Sequence, residues 1–141
     1  NAAKGIHDAK GFGGDTEEIH VQGAIGEKAI SKAFNLPWVE VTDEFKKIKA
    51  DVGSGVLQVR STPLETGRLL LRERDNDRQL WILCRIHLLP VVWAVGWIVG
   101  GEGKREGVLM AAETNWPYYL VPADKLKSME LLHYANKAGL L

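Results

Sequence analysis

The chain has 141 residues, the size of one domain able to bury a core without metal or disulfide staples. Hydrophobic residues make up 45% and charged residues 26%, a balance that excludes a disordered chain. Formal net charge is zero, so attraction for a polyanion has to come from local clustering. One cluster is visible, Arg60, Arg68, Arg72, Arg74 and Arg78.

Cys84 is the only cysteine, which excludes an intrachain disulfide and gives no sign of an oxidising compartment. It lies in the apolar run Trp81-Ile82-Leu83-Cys84 and is expected to be a buried thiol. Four scattered histidines, His7, His20, His87 and His133, give little support for structural zinc. The opening Asn1-Ala2-Ala3-Lys4 shows neither an apolar signal core nor a cleavage pattern. Leu80 to Val99 has the length of a membrane span, but Arg85, His87 and Pro90 near its middle are each costly in lipid. The expectation is a cytoplasmic domain, residues 1–141, with no membrane partner.

Residues 1–14 are rich in Gly, Lys and Asp, lack a period, and read as a flexible arm. Asp15 and Glu18 are spaced like a capping box. Ile19, Ala24, Ile25, Ala29, Ala33 and Phe34 then recur at near-helical spacing, and Asn35 and Pro37 close the helix. Gly23 and Gly26 each disfavour this helix by about 1 kcal/mol relative to Ala, which points to close packing or close approach of a ligand.

Strand-like runs follow at Lys47–Val52, Val56–Thr62 and Arg68–Arg74, with Gly53-Ser54-Gly55 and Pro63–Gly67 as hairpin turns between them. Asp75-Asn76-Asp77 turns into Gln79–His87, a nearly continuous apolar run of the kind expected at the centre of a sheet. Val91–Val99 is a further strand and a candidate homodimer edge. Residues 100–110 are polar with a short helical flavour. Tyr118–Val121 is a last short strand, and Pro122-Ala123-Asp124 opens a C-terminal helix. Trp81, Trp93 and Trp97 are expected in the core. The order implies an α+β fold, with a mixed sheet meander between an N-terminal and a C-terminal helix.

The chemistry-bearing residues are Glu27, Asp51, Gln58 and Arg60. With a four-residue turn, Asp51 falls opposite Gln58, and Arg60 follows on the same face; a three-residue turn sends Asp51 to the other side. Glu27, on a helix packed over this sheet edge, can bring a second carboxylate. Two carboxylates and a carbonyl suit a hard cation such as Mg²⁺, which keeps several waters and can meet a phosphate. A guanidinium at Arg60 suits a phosphate oxygen. Gly100-Gly101-Glu102-Gly103-Lys104 lacks the spacing and the terminal Ser/Thr of a phosphate-binding Walker loop.

Gly26-Glu27, then Asp51, then Gln58-Val59-Arg60 resembles the motif of the PD-(D/E)XK, or restriction-endonuclease-like, nuclease superfamily, over about residues 18–131. The layout is also similar to small phage and prophage proteins with that core. The resemblance implies a metal-dependent DNA phosphodiester hydrolase using Mg²⁺ or Mn²⁺, in a bacterial host cell or a virion. Carried over, Asp51, Glu27 and the Val59 carbonyl look like metal ligands. Gln58 stands at the second-motif acid and Arg60 at the lysine. Two departures bear on turnover. Neutral Gln58 removes a charge from the metal site, although Gln also occurs there in Mrr-like restriction enzymes. Arg60 can clamp phosphate but cannot act as a base. The alternative is therefore a nuclease-like DNA-binding or structural protein of a phage assembly. Arg68, Arg72, Arg74 and His20 are the expected DNA contacts, and Trp38, Trp116, Tyr118 and Tyr119 are candidate stacking residues.

Overall fold

The computed structural model describes residues 16–36 and 56–141. The expected arm at 1–14 and strand at Lys47–Val52 lie outside them. Helix α1 runs Thr16–Phe34 and buries Ile30 and Phe34. Its end is a Schellman turn. Asn35 takes a positive φ of 55°, Leu36 N donates to Ser31 O at 2.9 Å, and Asn35 N donates to Lys32 O. Gly26 is a point of close approach. A Cβ there would collide with Ser61 Oγ and come within 3.2 Å of Val59 Cγ1, so only glycine lets α1 sit this close to the next strand.

Among the described residues, two three-stranded sheets follow. The first orders β1 (Leu57–Thr62), β3 (Leu80–Leu88) and β4 (Val91–Val99), with β1 parallel and β4 antiparallel to β3. The second orders β2 (Leu69–Arg72), β6 (Tyr118–Val121) and β5 (Val108–Met110), all antiparallel. Alternation along β1 and β3 assigns the two faces of the first sheet. Leu57, Val59, Ile82 and Cys84 pack against Ile30 and Phe34 of α1 and Leu132 of α3 (Met129–Lys137). Trp81, Leu83 and Ile98 pack against Leu69, Leu71 and Val121 of the second sheet. The protein is α+β, with helices, sheet and sheet in successive layers. β3 is central and buried on both faces, as its apolar run requires.

The strand pairing differs from the expected meander. Pro63–Gly67 does not turn a hairpin: β1 pairs with β3, and β2 pairs with β6. The 63–79 stretch is instead the crossover that a parallel pair needs. Its start is fixed where Arg85 Nε donates to Gly67 O at 3.0 Å. Four residues with only Leu69 and Leu71 buried suit a half-wet outer sheet better than a place beside β1. At 100–110, a short helix α2 (Gly100–Glu106) is followed by β5, which the sequence reading passed over.

Pro122-Ala123-Asp124 opens only a 3₁₀ turn, Ala123–Lys125, because Leu126 returns to extended backbone at ψ 146°. Lys127 then pairs with Trp97 through two backbone hydrogen bonds, and α3 starts at a Ser128 cap whose side chain accepts from Glu130 N. Trp81 is core and Trp97 half-buried, but Trp93 is 58% exposed on β4, the terminal strand of its sheet among the described residues. No described helix is long and apolar enough to cross a membrane.

Two stability outcomes follow. Gly100→Ala will destabilise the protein by about 1–3 kcal/mol in urea unfolding despite its helical position, because the added methyl meets the Asn76 carbonyl, a backbone atom that cannot swing away. Burial pushes the Cys84 thiol from 9.0 up to about 12. Native Cys84 will therefore react with Ellman's reagent only on unfolding. Between those two values the unfolded chain gives up the thiol proton first, so this group's contribution to stability falls as pH rises.

Candidate phosphate-binding site

Gln58 and Arg60 share one face of β1, with Trp81 and Leu83 as their neighbours across the parallel pair. That face looks toward the second sheet. Glu27 is on α1, which covers the other face, immediately after the Gly26 contact with β1. The structure thus seats the Glu27 segment and Gln58-Val59-Arg60 on the same strand from its two sides. Asp51, the third expected acid, lies outside the described residues. Among those described, no three His, Cys, Asp or Glu side chains gather into a cation site. His20 is exposed on α1.

Gln58 Nε2 donates to Gln79 Oε1 at 3.1 Å, and Gln79 is buried. Gln58 is therefore part of an amide pair at the start of β3. Arg60 is more tightly held. Its Nη1 donates to Leu70 O at 2.8 Å, its Nη2 to Asp75 Oδ1 at 2.9 Å, and its guanidinium stacks 4.7 Å from the centre of the Trp81 ring. The Asp75 side chain is 7% exposed and that of Arg60 33%. The other Asp75 oxygen accepts from Arg72 N at 2.7 Å. One carboxylate therefore ties the first sheet to the end of β2.

Around Asp75 the basic side chains converge. Burial lowers the Arg72 guanidinium from its usual value, and the nearby charges of Arg60 and Arg74 push it further the same way. Asp75 and Tyr118 oppose them. Arginine remains charged at neutral pH throughout. Arg60 and Arg74 thus each act on Arg72, with the Asp75 carboxylate opposing them. Such a group is suited to a multiply charged oxyanion. Arg68 is exposed ahead of β2, and Arg78 on the β2–β3 turn.

That turn is built to hold its shape. Lys104 Nζ from α2 donates to Glu73 O at 2.8 Å, Asp75 O at 2.7 Å and Asp77 Oδ1 at 2.6 Å. Gly100 N donates to Gln79 O and Gly101 N to Asp77 O, both at 2.9 Å. The Gly100–Lys104 segment grips this turn, which explains glycines and a lysine without a nucleotide. Tyr119 Oη adds a hydrogen bond to Glu73 Oε1 at 2.8 Å, which pushes the phenol upward. Sequence reasoning missed Asp75, Gln79 and Lys104. Asp75-Asn76-Asp77 looks like any polar turn, and only the arrival of Arg60 and Lys104 gives it a further role. No family model, curated protein or solved structure matches the chain.

Asp75→Asn is expected to act in two directions. Removing one partner of the ion pair will lower stability by about 1–3 kcal/mol, less than for a fully buried pair because Arg60 is partly wet. Removing a carboxylate from among these guanidiniums will strengthen the attraction of this surface for a polyanion, with a labelled oligonucleotide as the probe. Urea unfolding and fluorescence anisotropy on the same variant check both.

Proposed function

We propose that this chain is a metal-dependent DNA phosphodiester hydrolase built on a PD-(D/E)XK, restriction-endonuclease-like core of the phage type. The observation that supports this reading is the close packing of α1 on β1 at Gly26, which puts Glu27 on the helix that covers one face of the strand whose other face carries Gln58 and Arg60. An N-terminal helix packed on a mixed sheet agrees with such a core.

Glu27, Asp51 and the Val59 carbonyl are the residues that would hold Mg²⁺ or Mn²⁺; carboxylates and a carbonyl are hard oxygen donors of the right class. The ion would supply an activated water and offset charge growing on phosphorus. Arg60, held flat between Trp81 and Asp75, presents a fixed positive charge for a phosphate oxygen and takes no part in proton transfer. Arg72 and Arg74 extend that charge along the bound strand.

A second reading is a DNA-binding protein of the same layout without turnover, as within a phage nucleoprotein assembly. The Gln58–Gln79 amide pair and the Arg60–Asp75 ion pair favour it, because both expected catalytic positions are engaged in holding the fold together. Purified protein with supercoiled plasmid in Mg²⁺ or Mn²⁺ separates the two. The hydrolase nicks DNA, stops in EDTA, and loses activity by at least about 100-fold in Asp51→Ala and Glu27→Ala. Folded protein that cuts nothing in either metal, yet binds DNA in EDTA and as Asp51→Ala, would establish the second reading and sink the first.

A further inference from the structure

Beside the arginine group lies an aromatic platform. Arg72 on β2 stands directly across from Tyr118 on β6, and directly opposed residues share a sheet face. Two residues before Tyr118 comes Trp116, 71% exposed. At a strand rise of about 3.3 Å per residue, its Cα lies within about 7 Å of that of Tyr118. The loop carrying Trp116 is organised from within. Thr114 N and Oγ1 both donate to Ala111 O, at 3.0 and 2.8 Å, and Thr114 Oγ1 accepts from Trp116 N at 3.1 Å. Ala111 begins the loop at a φ of 54°, a left-handed backbone that costs a non-glycine residue about 1 kcal/mol or more.

The backbone that carries this exposed indole is thus organised before any ligand arrives, which lowers the cost of ordering the loop on binding. The flat face of the indole is apolar, while two residues along the chain Tyr118 stands opposite the cationic Arg72. One ligand class presents both complements at short spacing: a nucleotide strand, with an anionic phosphate and an unstacked base. In a duplex the base faces are covered by their neighbours, leaving the indole nothing to stack on.

We propose that the Trp116 loop and the Arg72–Tyr118 pair form a single-stranded DNA binding surface, with the indole stacking on a base while Arg72 and Arg74 hold the adjoining phosphate. This rests on the reading of the chain as a DNA-binding protein and specifies the form of DNA that it takes. The hydrolase or binding site would then act at gaps, ends, flaps or junctions, where a strand leaves the duplex.

The test is anisotropy with the full chain in EDTA, using a fluorescein-labelled thymidine oligonucleotide and a blunt duplex of equal length. Trp116→Ala should weaken single-strand binding by about tenfold or more and duplex binding by less than about twofold, and Trp116→Phe should recover most of the loss. Arg72→Ala with Arg74→Ala should weaken both. If Trp116→Ala binds the single strand as the parent does, or loses both DNA forms alike, or Trp116→Phe recovers nothing, stacking is overturned. Loss of binding in the double arginine variant would then leave the wider DNA reading standing. Parent protein that binds neither DNA overturns both.

Discussion

The carboxylate of Asp75 is the tie between the two sheets on the side where the basic residues gather. One oxygen takes the Arg60 guanidinium from β1 and the other takes the Arg72 backbone N–H at the end of β2. The Arg60 contact bridges strands that do not pair with each other, since β1 pairs with β3 and β2 with β6, while the Arg72 contact is local, three residues back along the chain. Without Asp75, Arg60 would stand beside Arg72 and Arg74 with only the Leu70 carbonyl and the Trp81 ring to hold it. The carboxylate thus permits three like charges to share a small area, at the expense of cancelling one of them. Lys104 fixes the turn that carries Asp75 by binding carbonyls on both sides of it and the Asp77 carboxylate.

This arrangement separates the arginines from Glu27. Arg60 lies on the face of β1 that looks toward the second sheet, and Arg72 and Tyr118 lie on the outer face of that second sheet, out of parity with buried Leu69 and Leu71, whereas Glu27 is on the helix that covers the other face of β1. On the proposed reading, a phosphate held by Arg60 and Arg72 would be met by a metal bound at Glu27 and Asp51 across the outer edge of β1. On that reading, Arg in place of a lysine and Gln in place of an acid would give a stronger clamp and a weaker metal site. Both act in the same direction, toward holding the strand longer than turning it over.

Much of the fold was legible because its signals are local. Helical spacing up to Phe34 and the Asn35 stop mark α1, and alternation marks β1, while the apolar run of β3 announces its central place. Gly26 was also readable as a close approach, since a helix tolerates such a residue only for a reason. Pairing was not legible. Pro63–Gly67 has ordinary hairpin chemistry, and only the distant demand of β3 for a partner on each edge turns that stretch into a crossover. The three residues of β5 are too few to carry a period, and Trp93 looks like core until β4 is placed at the end of its sheet. Of the candidate site, the positions on β1 and the arginine cluster were readable by parity and proximity. Asp75 and Gln79 were not, because a partner contributed from another strand leaves no mark in the neighbouring sequence. Asp51 falls outside the described residues, so its expected place opposite Gln58 rests on turn length alone.

The account depends most on the claim that Arg60, Arg72 and Arg74 meet DNA phosphates. The salt dependence of duplex affinity reads this directly, since each neutralised phosphate adds about 0.9 to the slope of log K against log salt. Replacing the three arginines together by glutamine should flatten that slope by about 2 to 3, read on protein that circular dichroism shows to be folded, since losing the Arg60–Asp75 pair also lowers stability by about 1–3 kcal/mol. A slope unchanged by the triple replacement would mean that DNA is held elsewhere, and the guanidinium group would then serve only to join the sheets.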